Sequence, residues 1–195
     1  MRKYDLSVGA VFLAALTVFA SPATEEASKL VAEKGLPNLM KNGGFEKVLK
    51  NGQAADWSLS KSGKSKCKIT IEKDAGVTGN AAVFTSGNGT LFSWAKVKPG
   101  EKIYVKVKSR KFGNGNATLT IRFHDNKKQW LSFIVRKKIS FAKDGEWAAA
   151  EIVIKAPEKA AWVIPLLVAS GLDNPDSKIV FDELEVYNLS QAAEK

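Results

Sequence analysis

Two stretches of sequence decide the fold: Asn38-Leu39-Met40-Lys41-Asn42-Gly43-Gly44-Phe45-Glu46 and Ile179-Val180-Phe181-Asp182-Glu183-Leu184-Glu185-Val186-Tyr187. Each stretch predicts a strand and has a carboxylate beside an apolar residue. If a β-sandwich pairs its first and last strands, Glu46 and Asp182 come close together. Two buried carboxylates repel each other unless a proton or a cation lies between them. The two stretches therefore predict a sandwich, and they point to a metal site as one option.

The chain between these stretches is made of short runs in which apolar and polar residues alternate. The run 118–124 alternates strictly, with Leu119, Ile121 and Phe123 on one face. A hairpin is predicted around Pro99-Gly100, because proline followed by glycine suits the centre of a type II turn. About ten such runs, spaced roughly 8–12 residues apart by Gly, Asn, Asp and Pro turns, predict an all-β fold. The expected architecture is an antiparallel β-sandwich or jelly roll.

The first residues have the pattern of an export signal. Arg2 and Lys3 precede the apolar run 8–19, which is shorter than the roughly 20 residues that cross a membrane. We therefore predict a signal peptide over 1–20 and a protein that is secreted, periplasmic or on the cell surface, with no membrane span after cleavage. A retained N-terminal anchor is the alternative. Segment 21–37 is expected to be a leader helix or a linker, 38–189 the jelly-roll domain, and 190–195 a C-terminal tail.

Charge and cysteine content limit the partners and the source of stability. The formal net charge is +10, and the chain has one cysteine, so it has no internal disulfide and the fold rests on its core. The positive charge favours anionic surfaces such as acidic glycans, teichoic acids or lipid head groups. The alternative is that the lysines only keep the protein soluble. An exported protein is not expected to bind nucleic acid.

Five motifs, occurring in order, resemble those of carbohydrate-binding modules of the family 4, 9 and 22 type, which have a galactose-binding-domain-like jelly-roll fold. The resemblance covers roughly residues 38–189. The motifs are Asn42-Gly43-Gly44-Phe45-Glu46 followed by Trp57, then Thr78-Gly79-Asn80-Ala81-Ala82-Val83, the hairpin 97–105, Gly145-Glu146-Trp147 with 154–160, and the closing strand 181–186.

The resemblance implies a structural calcium ion between the first and last strands. Its ligands would be the side chains of Glu46 and Asp182 and a backbone carbonyl near Gly44, with a further carbonyl from the loop around Gly79-Asn80. Calcium binds six to eight oxygens, mixing carboxylates with carbonyls. The alternative is that the two carboxylates are exposed or paired with lysines. The ion would hold the ends of the sandwich together and would take no part in a reaction.

Alternation also predicts where a glycan would bind. Sugar-binding sites combine flat aromatic rings with polar groups that bind hydroxyls. Residues opposite the core-facing positions form a candidate face, which we expect to carry Phe92, Trp94, Tyr104, Arg122 and His124, with Trp130 at its edge. The alternative is that loops or core packing cover these aromatic residues.

No catalytic arrangement is discernible in the sequence. His124 is the only histidine, and neither a nucleophile nor an orienting group can be assigned to it. The leading hypothesis is therefore a secreted, non-catalytic protein that binds a polysaccharide or oligosaccharide, acidic ones included, and holds a structural calcium. The alternatives are a structural or protein-interaction jelly-roll domain of the cell envelope and, less favoured, a small glycoside hydrolase or lyase.

Overall fold

The computed structural model describes residues 21–60 and 67–193. The predicted signal peptide, 1–20, lies outside the described residues. One α-helix, α1 (Pro22–Lys34), precedes all of the strands, and a 3-10 helix, Leu189–Ala193, follows them. The strands are β1 (Ser58–Ser60), β2 (Lys68–Glu72), β3 (Ala81–Thr85), β4 (Gly87–Phe92), β5 (Ala95–Lys96), β6 (Lys102–Phe112), β7 (Asn116–His124), β8 (Trp130–Lys138), β9 (Trp147–Lys155), β10 (Trp162–Leu172) and β11 (Lys178–Asn188).

The strands form two antiparallel sheets. The first sheet has the order β1-β4-β10-β7-β8, and β5 also pairs with β10. The second sheet has the order β2-β3-β11-β6-β9. Neighbours within each sheet are mostly distant in sequence, as in a sandwich whose chain crosses repeatedly between layers. The predicted all-β antiparallel β-sandwich is confirmed.

The core lies between the sheets and follows the alternation of the strands. Leu119, Ile121 and Phe123 of β7 are fully buried on the inner face of the first sheet. Ile103, Val105 and Val107 of β6 belong to the same cluster from the second sheet. Removing each such side chain from water contributes about 1.5–3 kcal/mol. The residues that alternate with these side chains along each strand point outward.

Helix α1 packs on the outer face of the second sheet. Ser21 caps its N-terminus, and Gly35 ends it in the left-handed conformation with φ 55°. Ala27 and Leu36 pack with Leu189 of the 3-10 helix around Tyr104 of β6. The sequence predicts either a leader helix or a linker for segment 21–37. The segment contains a helix, which covers one face of the sandwich. Among the described residues, no helix is long and apolar enough to cross a membrane.

The stretch 38–46 is not a regular strand, contrary to the prediction. It runs beside β11, where the Leu39 amide donates to the Val186 carbonyl at 2.8 Å and the Leu184 amide donates to the Gly43 carbonyl at 3.0 Å. A Cβ on Gly43 would overlap the Leu184 carbonyl oxygen, so this close approach requires glycine. The first and last stretches do meet, but through a turn at 41–44 and not through a continuous ladder.

Candidate functional site

The outer face of the first sheet carries a row of polar and aromatic side chains. On β7, Thr120, Arg122 and His124 point away from the core because their neighbours in the strand point into it. In the register of β10 against β7, Trp162 lies opposite His124 and Ile164 lies opposite Arg122. The sequence prediction that Arg122 and His124 share a face is therefore correct.

Trp94 is the centre of an aromatic cluster on this face. It lies in the short connection between β4 and β5. Its ring makes edge-to-face contacts with Phe92 at 6.4 Å, with His124 at 5.0 Å and with Trp162 at 6.1 Å between centroids. Edge-to-face packing is a favoured geometry for aromatic pairs, so the contacts hold the rings in fixed orientations. The face therefore has an ordered group of aromatic rings around Trp94.

Three cationic side chains lie over tryptophan rings of this face. Lys128 Nζ is 5.3 Å from the Trp94 centroid and 5.8 Å from that of Trp162, while Lys96 Nζ is 5.7 Å from that of Trp162. Arg122 Cζ is 5.5 Å from the centroid of Trp130, whose side chain is 51% exposed at the start of β8. Such cation–π contacts fix donor groups beside flat apolar surfaces.

A cleft opens beside Trp94 and Trp162. It has a volume of about 520 Å³, and a second cleft of about 580 Å³ shares Lys96 and Trp162 with it. Both volumes fall within the roughly 300–1,000 Å³ typical of ligand pockets. The first cleft is lined by the aromatic pair together with Leu39, Lys41, Asp56, Ser93, Ala95, Lys96 and Lys128.

His124 is oriented by the turn between β7 and β8. Its Nδ1 lies 2.8 Å from the carbonyl oxygen of Lys128. Because a carbonyl only accepts hydrogen bonds, Nδ1 carries the proton and donates it, and in the neutral ring Nε2 is an acceptor. The cluster can thus offer a hydroxyl group both donors, from lysine and arginine, and an acceptor.

Five of the six predicted face residues lie together, and Tyr104 does not. Phe92, Trp94, Arg122, His124 and Trp130 are all on the outer face of the first sheet. Tyr104 belongs to β6 of the second sheet, is 1% exposed beneath α1, and has its pKa raised by burial. Its predicted place on the ligand face is wrong, because alternation does not say which sheet a strand joins.

The predicted ligand-binding residues do not include Lys96, Lys128 or Trp162, which line the cleft with Trp94. Trp162 could have been found from alternation, since Val163 and Leu167 of β10 face the core. Lys128 has no periodic signal, because it occupies a turn with φ 60°. Its position over the two tryptophans depends on the fold of the 125–129 turn, which the Asp125 carboxylate stabilises by accepting from the Lys127 and Gln129 amides at 2.9 and 2.8 Å.

The second candidate site surrounds Asp182, which is fully buried. Its Oδ2 accepts from the Val77 amide at 2.7 Å, and its Oδ1 accepts from the Glu183 amide at 2.7 Å. Burial nevertheless raises the pKa of Asp182 to about 6, against the effect of these hydrogen bonds. Glu46, in contrast, is exposed, and its Oε1 accepts from the Asn80 amide at 3.0 Å. The sequence predicts two buried carboxylates, but only Asp182 is buried, and Glu46 is exposed. Both carboxylates accept hydrogen bonds from the 76–80 loop.

The oxygens around this loop fit a hard cation. The point that a Cβ on Gly76 would occupy lies 2.6 Å from both Asp182 Oδ2 and the Asn80 carbonyl oxygen and 2.8 Å from that of Thr78. A Cβ on Gly44 would lie 3.8 Å from Asp182 Oδ1. Carboxylate and carbonyl oxygens that converge in this way are the donor set that calcium prefers. In the described part of the chain, no group of three or more His, Cys, Asp or Glu side chains is placed to hold a metal ion, so carbonyl oxygens would have to complete any site at Asp182.

No protein-family model matches this sequence, and no curated protein matches it either. Its fold, however, is similar to solved structures. The enzymatically active domain of tailspike protein 4 of bacteriophage CBA120 gives a TM-score of 0.62 at 14% identity, covering 77% of this chain and 21% of that chain. A family 16 carbohydrate-binding module gives 0.56 at 13%, covering 77% of this chain and 100% of that chain. A family 61 module in complex with β-1,4-galactotriose gives 0.52 at 15%, covering 78% and 99%.

Carbohydrate-binding modules of families 4 and 22 are also among the similar structures. An arabinofuranosidase is another, and this chain covers 27% of its length. At these identities the likeness shows a shared fold. The predicted jelly-roll fold of the carbohydrate-binding modules is therefore confirmed.

Proposed function

We propose that this protein is a non-catalytic carbohydrate-binding protein that acts outside the cytoplasm and binds a polysaccharide on the outer face of its first sheet. The observation that carries the proposal is the cluster of Trp94 and Trp162 with Lys96 and Lys128 at the mouth of the 520 Å³ cleft. The export signal that the sequence predicts over 1–20 supports the location. Similar folds include a module in complex with β-1,4-galactotriose and a xylan-binding domain.

The chemistry of the cluster suits a sugar ring. The apolar C–H surface of a pyranose packs against an indole face, and its equatorial hydroxyls reach the groups at the ring edge. Here Trp162 and the exposed Trp130 are the candidate stacking surfaces. Arg122, Lys96 and Lys128 are the donors, and Nε2 of His124 is the acceptor. Phe92 and Trp94 support the rings from below.

We propose a binding role without catalysis, because the face lacks the groups that cleave a glycosidic bond. Most glycosidases use two carboxylates that flank the scissile bond. The described strands of the first sheet contain neither aspartate nor glutamate. Among the described residues, Asp56 is the one carboxylate that lines the 520 Å³ cleft. Glu101 lines the adjoining cleft and accepts from the Lys98 amide, and Asp125 accepts from the amides of its own turn.

We also propose a structural calcium at the Asp182 site. The side chains of Asp182 and Glu46 and the carbonyls of Thr78 and Asn80 would bind the ion, with Gly44 alongside. The ion would neutralise the buried Asp182 carboxylate, which forms no ion pair with a cation of the described residues. It would also join the 38–46 stretch, the 76–80 loop and β11, and it supplies no chemistry to the ligand face.

Affinity electrophoresis and calorimetry against a panel of neutral and acidic polysaccharides test the proposed function. We expect binding to at least one polysaccharide, weakened about tenfold or more by Trp162→Ala, as aromatic residues dominate such interfaces. Trp147→Ala is the matched control, because Trp147 packs against Arg110 on the second sheet. If no polysaccharide binds, the alternative of a structural or protein-interaction domain of the cell envelope replaces this proposal.

A further inference from the structure

The two sheets differ sharply in the charges that their strands carry. The described strands of the first sheet contain no acidic residue, and their cations are Lys96, Arg122, Arg136, Lys137 and Lys138. The strands of the second sheet contain both signs, their acidic residues being Glu72, Glu151, Asp182, Glu183 and Glu185. The positive charge of the protein is thus uncompensated on the sheet that carries the aromatic cleft.

The second sheet neutralises its lysines with ion pairs. Lys106 Nζ lies 2.7 Å from Glu185 Oε2, and Lys108 Nζ lies 2.8 Å from Glu183 Oε2. At the cleft, neither Lys96 of β5 nor Lys128 of the 125–129 turn has a carboxylate of the described residues within 4.0 Å, and both lie over tryptophan rings instead. The ammonium groups at the cleft are therefore available to an anion from outside the protein.

Arg122 adds a donor that the described part of the chain does not satisfy. Its Nε atom is buried and has no hydrogen-bond partner. A buried donor without a partner costs about 1–3 kcal/mol, so a ligand oxygen that reached it would recover that energy. Arg122 Cζ lies 5.5 Å from the centre of the Trp130 ring, and Ile164 lies opposite Arg122 on β10.

Carboxylates near the cleft do not cancel these charges. Asp125 Oδ1 is engaged by two amides of its own turn. Asp56 lines the 520 Å³ cleft, but Lys41, Lys96 and Lys128 line it as well. Three cations against one carboxylate leave the 520 Å³ cleft positive, and Lys96 and Lys98 line the adjoining 580 Å³ cleft with Glu101. A low-dielectric aromatic wall strengthens the attraction of such a site for anions.

On the basis of the proposed function, we propose that the bound polysaccharide is anionic. Its carboxylate or sulfate groups are bound by Lys96 and Lys128 while Trp162 stacks on the sugar ring, and Arg122 binds a further oxygen along the chain. Stacking on tryptophan distinguishes this ligand from a membrane surface, whose head groups offer charge without a ring face. Single-stranded nucleic acid, which also combines charge with stacking, is one outcome of the test.

Calorimetry with matched oligosaccharides tests the proposal. Sodium oligogalacturonides are compared with the same oligosaccharides after carboxyl reduction, and a sulfated oligosaccharide is compared with its desulfated form. We expect the anionic member of at least one pair to bind about tenfold or more tightly, and the pair that does so identifies the anion. The variant Lys96→Gln/Lys128→Gln should lose that preference.

The control variant Lys29→Ala/Lys34→Ala removes the same charge from exposed positions of α1, on the far side of the sandwich, and should bind like the wild type. Equal binding of charged and neutral oligosaccharides overturns the inference but leaves the proposed function standing. Absence of all oligosaccharide binding overturns both. The inference is also overturned if oligo(dT) binds as tightly as the sugars, because this shows nucleic-acid binding. It is overturned as well if the two lysine variants lose equal affinity, because this shows unspecific binding.

Discussion

The Cζ atom of Arg122 lies 5.5 Å from the centre of the Trp130 ring, across the pairing of β7 with β8. The register between these strands shifts here, so that His124 pairs with Trp130 whereas Arg122 pairs with Ile134. The extra residues of β8 include Ser132, which adopts φ 55°. This irregularity lets Trp130 reach the guanidinium while half of its own surface stays exposed.

Trp130→Ala should therefore weaken polysaccharide binding and barely affect stability. We expect an affinity loss of about tenfold, or roughly 1.4 kcal/mol, from lost stacking and the lost cation–π contact. The exposed ring contributes little to the core, so the thermal midpoint should fall by only about 1–3 °C. Calorimetry and thermal unfolding measure the two effects. Unchanged affinity would remove Trp130 from the site.

Substitutions of Tyr104 should have the opposite pattern. The ring is buried with Ala27, Leu36 and Leu189, so Tyr104→Ala should destabilise the protein by about 3–5 kcal/mol in urea unfolding. Tyr104→Phe keeps the ring and should leave polysaccharide affinity at the wild-type value. A loss of affinity in Tyr104→Phe, with an unchanged circular dichroism spectrum, would show that the second sheet contributes to binding.

Calcium should stabilise the protein through Asp182. At a calcium concentration about 100-fold above its dissociation constant, the gain is about 2.7 kcal/mol, which corresponds to roughly 5–10 °C for a domain of this size. A chelator should reverse the gain, and Asp182→Asn should abolish it, whereas Asp176→Asn, in an exposed loop, should not. Thermal unfolding with and without chelator measures it. If calcium leaves the midpoint unchanged, the proposed metal site is wrong.

Without metal, the stability should depend on pH in a direction set by Asp182. Its folded-state pKa of about 6 lies above the value of about 3.9 expected for an unfolded chain. Protonation therefore favours the native state: the contribution is complete below about 3.9 and is lost as pH rises through about 6. In chelator, Asp182→Asn should gain on the wild type between pH 4.5 and pH 7.5. A constant difference between the two proteins would contradict this assignment.

Alternation within single strands was sufficient to predict much of the candidate ligand face. It separates Leu119, Ile121 and Phe123, which are buried, from Arg122 and His124, which point outward. This works because side-chain direction along a strand is a local property with a period of two. The same rule correctly places Tyr104 on the opposite face of β6 from Ile103 and Val105.

Sheet membership is not local, and that is where the sequence prediction failed. Strand β6 follows β5 through a short turn, yet it pairs with β9 and β11, far along the chain. Nothing in the alternation of β6 distinguishes a position facing the cleft from one beneath α1. The stretch 38–46 is a second case, because it hydrogen-bonds to β11 at Leu39 and Gly43 but a turn at 41–44 interrupts it, and the close approach there requires glycine at 43.

The absence of carboxylates from the described strands of the first sheet has a consequence for the fold itself. Like charges on neighbouring positions of one face repel each other, and here no glutamate relieves them as Glu183 and Glu185 do on the second sheet. Added salt should therefore stabilise the first sheet by screening the repulsion among its cations. An acidic residue placed on this sheet would reduce that repulsion and would also lower the positive potential of its surface.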